Sequence, residues 1–227
     1  MRPYIIWADA RSGSTALSKA LRAIATIPTE DEPFQFGAHP NKRAWIYEHW
    51  CKTGEPAPLY DLLRESRGIK HIAEQFDDNF NAHIAQAGNH FGYRHIRLAR
   101  RNVFAQLASR GIAEQLDFWV PDARRLSETT ALAPLNIDDL LAKRDLADAR
   151  WQAVSAHIPE RLNVWTEDLT CADCRRRLPV VRSLLTWLDI PPDRLEIIDD
   201  VLFRSGQGTE NLLRLVPNIG ELLRAVG

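Results

Sequence analysis

Long apolar runs are missing from this 227-residue chain. No stretch approaches the roughly 18–20 residues that a membrane helix needs, so no membrane span is expected. A basic surplus is missing as well: 29 Lys and Arg stand against 30 Asp and Glu, a formal net charge of −1. That balance argues against a general nucleic-acid binder. Cysteine is scarce, and the odd count of Cys51, Cys171 and Cys174 fits a reducing cytoplasm better than a disulfide framework. Cys171-x-x-Cys174 has no second pair and no nearby His-x-x-x-His, so the two are read as incidental thiols and no metal is expected. A secretory leader is not expected, because Tyr4–Trp7 is too short for its apolar core and charges follow at once. A cytoplasmic location is the expectation. Repeats, low-complexity tracts and obvious linkers are also absent. What remains is a chain with 45% apolar residues, enough for a real core, and one domain over residues 1–227 is expected.

The first twenty residues organise the rest. Pro3-Tyr4-Ile5-Ile6-Trp7 is apolar, aromatic and β-branched, which predicts a short buried strand. Ala8 to Thr15 is small, polar and turn-forming, and from Ser14 onward Ala16, Leu17, Ala20, Leu21 and Ile24 recur at helical spacing. Strand, small-residue loop and helix together aim backbone N–H groups at an anion. Gly13 permits close backbone approach, and Ser14 and Thr15 add hydroxyl donors. The usual nucleotide loop, G-x-x-x-x-G-K-[ST], is not met, since no Lys precedes the Ser-Thr pair. The cation is Arg11, whose fork suits a planar or trigonal oxyanion. The same residues also suit an ordinary capped helix, with Ser12 or Ser14 as N-cap and Arg11 solvated.

Further strands are expected at Ile24–Pro28, Gly68–Ala73, Tyr93–Ala99 and Leu162–Trp165, with an acidic loop at Thr29–Phe34. Helices are expected over Asn41–Lys52, Tyr60–Arg67, Asp77–Ala87 (stopped by Gly88), Arg101–Gln115, Ile137–His157 and Leu178–Leu188. The segment Asp117–Asn136 reads as a Pro-punctuated loop or lid, Val201–Glu210 as polar, and Leu212–Val226 as a helical turn on either side of Pro217. Alternating strands and helices predict an α/β domain with a mostly parallel central sheet flanked by helices.

A second strand-to-helix junction carries the telling spacing. In Leu98 to Ser109, Arg101 and Ser109 lie eight residues apart, about two helical turns, so both are expected to face one anion. Alone, this also suits a basic helix start followed by a surface Ser. Taken together, the two junctions resemble the sulfotransferases that use 3′-phosphoadenosine-5′-phosphosulfate (PAPS), most of all the bacterial carbohydrate and glycolipid enzymes. Their first loop, P-R-S-G-[ST]-T, is matched by Arg11, Ser12, Gly13, Ser14 and Thr15, with Ala10 in place of Pro. Their R-x-[DN]-x-x-x-Q-x-x-S pattern is matched by Arg100, Asn102, Gln106 and Ser109. Val164–Leu169 is similar to the family's Y-E-D-L, Phe203–Gly208 to its R-x-G-x-x-G loop through Arg204, and Asn218–Leu222 to its N-x-x-E-L.

The resemblance implies a P-loop-like three-layer fold and sulfuryl transfer from PAPS to an acceptor hydroxyl of a small molecule, glycan or glycolipid. It assigns the 5′-phosphosulfate to Arg11 through Thr15 and the 3′-phosphate to Arg100 or Arg101, Asn102, Ser109 and Arg204. Arg101 fits the general spacing. The displacement needs charge neutralisation and a base, and no metal is obligatory. Glu32 is the expected base, with Glu30 and Asp31 beside it and His39, His49 and His71 as rivals. Lys70 is similar to a strand-end lysine that faces the active site. Trp45, Trp50 and Trp119 are candidates for stacking on an acceptor, which the loops Phe34–Pro58 and Phe118–Asn136 are expected to select. A homodimer is compatible with the resemblance. A small-metabolite kinase and a non-catalytic nucleotide-binding protein are the alternatives.

Overall fold

The computed structural model describes residues 1–24, 28–36, 41–117, 129–204 and 209–227, with backbone only at 203–204 and 209–211. A five-stranded sheet runs in the order β2-β3-β1-β4-β5, and every neighbouring pair is parallel. Its strands are β1 (Tyr4–Ala8), β2 (Thr29–Asp31), β3 (Gly68–Ile72), β4 (Arg94–Ala99) and β5 (Arg161–Trp165). All five residues of β1 are buried, as a central strand covered on both faces requires. This is the expected three-layer α/β architecture.

On one face, Tyr4, Ile6 and Ala8 pack against α1 (Ser14–Ile24), α8 (Cys174–Trp187) and α9 (Leu195–Arg204). On the other, Ile5 and Trp7 meet α2 (Trp45–Thr53), α3 (Ala57–Glu65), α4 (Asp78–His90) and the end of α6 (Ile137–Ser155). A third cluster joins α5 (Val103–Gln115), the start of α6 and α10 (Ile219–Val226). A single turn, α7 (Thr166–Leu169), follows β5. Among the described residues, no helix is long and apolar enough to cross a membrane.

Three expectations are corrected. The second strand lies at Thr29–Asp31, within the segment read as an acidic loop, while residues 25–27 lie outside the described ones. Backbone pairing to β3 (Thr29↔Gly68, Asp31↔Lys70) makes this strand, and an edge position tolerates its charges. Helix α9 was not foreseen; its Ile198 and Leu202 fill the groove over α1. Gly88 does not stop α4. It sits inside the helix, where a Cβ would come within 2.8 Å of Ile5 Cδ1, so the glycine lets α4 lie close on β1.

Two imidazoles flank Trp7 in this second face. Trp7 Nε1 donates to His95 Nδ1 at 2.9 Å, so the His95 proton is on Nε2, 3.0 Å from Asn89 Oδ1. His71 Nε2 lies 2.7 Å from Asn81 Oδ1, and Asn81 Nδ2 is already given to the Ala73 carbonyl. His71 therefore donates through Nε2, and its role is structural rather than that of a base. Burial pushes both imidazoles down to about 4, against about 6.5 for the free side chain. Between those values the unfolded chain binds more protons, so stability falls as pH drops through the window. Burial raises Asp9 and Glu74, which acts in the opposite sense as pH falls into the carboxylate range. Urea midpoints measured downward from neutral pH should therefore decline, and His71→Gln should make the decline shallower.

Candidate functional site

All five strands point the same way, so their carboxyl ends form one edge, where ligands of open α/β sheets bind. The loop after β1 turns sharply there. Arg11 holds φ 62° and Gly13 φ 80°, both left-handed. Ser12 N–H returns to the Asp9 carbonyl at 3.2 Å, and the amides of Ala16 and Leu17 return to the Gly13 carbonyl. The loop carbonyls are held from outside. Gln106 Nε2 donates to Ala10 O at 2.9 Å, Arg100 Nη1 to Arg11 O at 3.5 Å, and Thr166 Oγ1 to Ser12 O. With its carbonyls drawn toward α5, β4 and α7, the loop leaves the amides of Gly13, Ser14 and Thr15 ahead of the first helical turn. That arrangement suits an anion, as a cradle of amides at a helix start does.

Arg11 is only 8% exposed, and its Nε donates to Ser109 Oγ at 3.0 Å. Burial lowers the Arg11 pKa, and the neighbouring positive charge of Arg100 lowers it further. Two guanidiniums repelling each other beside a row of amides is a setting that a bound anion relieves. The second junction is thus joined to the first through Ser109 and Arg100.

Arg101 is not part of this group. Its Nη1 and Nη2 each donate to Asp168 at 2.8 Å, its guanidinium lies 4.9 Å from the Trp165 ring centre, and its side chain is 49% exposed. Arg101 and Ser109 therefore face different partners, because Asp168 and Trp165 offer Arg101 a bidentate carboxylate and a ring face. Asn102 caps α5 by accepting from Ala105 N–H at 2.9 Å. Glu167 accepts from the amides of Arg101 and Asn102. Burial opposes ionisation of Glu167, yet those two amides, its own amide and the Arg100 charge together outweigh it and hold the carboxyl below its ordinary range.

The end of β2 separates three consecutive acids that the sequence left together. Glu30 reaches toward Arg43, while Asp31 is taken by Ser18 and Arg22 of α1. Glu32 alone turns to the loop, at φ 48°, with its N–H on the Lys70 carbonyl at 2.8 Å. Its Oε1 lies 2.8 Å from Lys70 Nζ, and that ammonium donates onward to Thr15 Oγ1 at 3.1 Å. The Lys70 side chain is 5% exposed. The carboxylate, ammonium and hydroxyl form one chain running into the first turn of α1.

Sequence reasoning missed several residues. Thr166 binds the Ser12 and Ala99 carbonyls and fills the space where Gly13 lacks a Cβ. Asp9 pairs with Arg97, and Glu74 with Arg110, around a cavity of about 520 Å³ beneath α6. Asp9 adjoins the loop motif, but nothing in the sequence linked it to a partner 88 residues away. The side chain of Arg204, together with Gly206, Gly208, His39 and Trp119, lies outside the described residues. His49, on α2, contacts Glu55 just beyond that helix, Trp45 is exposed, and Trp50 packs on Phe80 and His83.

A methyl group at Gly13 would meet Thr166 Cγ2 at 3.0 Å and would hold φ 80°. Gly13→Ala is expected to cost about 1–3 kcal/mol in chemical denaturation, and Thr166→Ser should recover the part owed to the methyl contact. A scan of protein-family models finds none that matches this chain, and a search of curated proteins finds no significant match.

Proposed function

We propose that the chain is a sulfotransferase that moves the sulfuryl group of PAPS to an acceptor hydroxyl, on a carbohydrate or glycolipid. The observation that carries this reading is the buried Arg11, set against Arg100 and bonded to Ser109 beside the amides of Gly13, Ser14 and Thr15. Anionic phosphate esters suit that pair of cations. In the displacement, the acceptor oxygen bonds to sulfur as the sulfur–oxygen bond to the 5′-phosphate breaks. The departing electron pair stays on that phosphate, where Arg11 and the loop amides meet it. The acceptor proton passes to Glu32, which the Lys70 ammonium holds in place beside Thr15. Arg100 and Ser109 adjoin the cradle as candidates for the 3′-phosphate.

One observation favours the kinase reading. The loop has no lysine of its own, but Lys70 brings an ammonium from β3 to Thr15, where a nucleotide triphosphatase loop has one. Calorimetric titration with the 3′,5′-bisphosphate product, against ATP with Mg²⁺, separates the two. The sulfotransferase reading expects metal-independent binding of the bisphosphate, weakened at least about tenfold in Arg11→Ala, as loss of a charged hydrogen bond implies. Preference for ATP with Mg²⁺ would overturn it. Glu32→Gln should retain bisphosphate binding and lower turnover by roughly 10²–10⁴-fold, the range of general-base catalysis.

A further inference from the structure

Three consecutive carbonyls of the loop after β1 are each held by a side chain from another segment. Ala10 O accepts from Gln106 Nε2 of α5 at 2.9 Å, and Arg11 O from Arg100 Nη1, just after β4, at 3.5 Å. Ser12 O accepts from Oγ1 of Thr166, the first residue of α7. A trans peptide is planar, so its C=O and N–H point opposite ways, and fixing one fixes the other. Holding Ser12 O therefore aims the Gly13 N–H. The Thr166 hydroxyl also lies 3.2 Å from Ala99 O, at the end of β4. It has one proton to share between the two carbonyls. A single oxygen thus spans the gap between the first junction and the second. The methyl is engaged as well, with Cγ2 lying 3.0 Å from where a Cβ on Gly13 would be. A β-branched side chain held through both branches is a stiff spacer. Thr166 stands at the position of Tyr in the Y-E-D-L pattern, so this contact comes from the chain's own sequence.

We infer that Thr166 and Gln106 are positioning residues that set the separation of the two junctions, and with it the preference for one ligand carrying two phosphate groups over ligands carrying one. The inference rests on the proposed donor site, with one phosphate at Gly13–Thr15 and the other beside Arg100 and Ser109, and adds what fixes their spacing. Gln106 lies three residues before Ser109, so the two share a face of α5. Its bond to Ala10 O ties that face to the loop, as Thr166 ties the loop to the end of β4. A ligand that reaches both junctions gains from its second group only while the junctions stay at the distance it spans. Each residue acts through the carbonyl it holds.

The test is calorimetric titration of the full chain, at fixed ionic strength and without metal, with adenosine 3′,5′-bisphosphate, adenosine 5′-phosphate and adenosine 3′-phosphate. The quantity read is the ratio of bisphosphate affinity to that of the better monophosphate. A loss of folded protein affects all three ligands alike and cancels in this ratio, so a purely structural role leaves it unmoved. Thr166→Val keeps the branched shape and removes the hydroxyl. Gln106→Met removes the amide from a half-buried helix position, which keeps the test open if Thr166→Val does not fold. The wild type should prefer the bisphosphate, and each variant should cut that preference about threefold to tenfold, the worth of a neutral hydrogen bond. Thr166→Ser, which restores the hydroxyl, should return most of it. A preference kept by both variants, or lost as fully in Thr166→Ser as in Thr166→Val, would overturn the inference and leave the donor site standing. A wild type that binds the three ligands equally would also overturn it, and one that binds none would overturn the donor-site reading as well.

Discussion

The Asp9 carboxylate and the Arg97 guanidinium meet through two short hydrogen bonds at the carboxyl edge of the sheet, where neither keeps much water. A charge in such a place must be paired, because an uncompensated buried ion costs several kcal/mol. The same constraint runs along the edge. Lys70 is answered by Glu32, Arg110 by Glu74 and Glu114, and the amides of Arg101 and Asn102 by Glu167. Apart from Arg110–Glu114, which lies within α5, each of these joins residues from different elements, so satisfying the charges also fixes how the loops sit. The loop after β1 has its shape because its neighbours need its carbonyls and its acid.

Backbone strain gathers at the same place. Arg11 and Glu32 lie in the left-handed region, where side chains other than those of Gly, Asn and Asp are uncommon. Such conformations cost on the order of 1–3 kcal/mol each and persist when the surroundings over-determine them. Here the surroundings do so: Ser109 and Arg100 hold Arg11 by side chain and carbonyl, and Lys70 holds Glu32 by both its carbonyl and its ammonium. The strain turns one guanidinium and one carboxylate toward the same loop.

Much of the framework was legible in residue order. Tyr4–Ala8 had to be a covered central strand, because five consecutive apolar residues leave no face for water. The apolar spacing of α1 and α5 marked them as helices with one buried face. Strand β2 was misplaced because its residues, Thr29, Glu30 and Asp31, carry no strand signal of their own; pairing with β3 makes them one. Arg101 was linked to Ser109 by helical spacing, which holds only when nothing else competes for the side chain. Asp168 and Trp165, more than sixty residues away, do compete.

Sequence by itself determined the α/β class, the loop that lines up amides at a helix start, and the residue types available for chemistry. Those properties depend on local patterns: apolar period, small-residue turns and capping side chains. Tertiary structure alone decided which of Glu30, Asp31 and Glu32 faces the loop, which arginine stands beside Arg11, and that Glu74 and Arg97 share a cavity. These outcomes rest on pairing between distant strands and on burial. Both set the electrostatic cost of each alternative, and neither is written in the neighbourhood of any one residue.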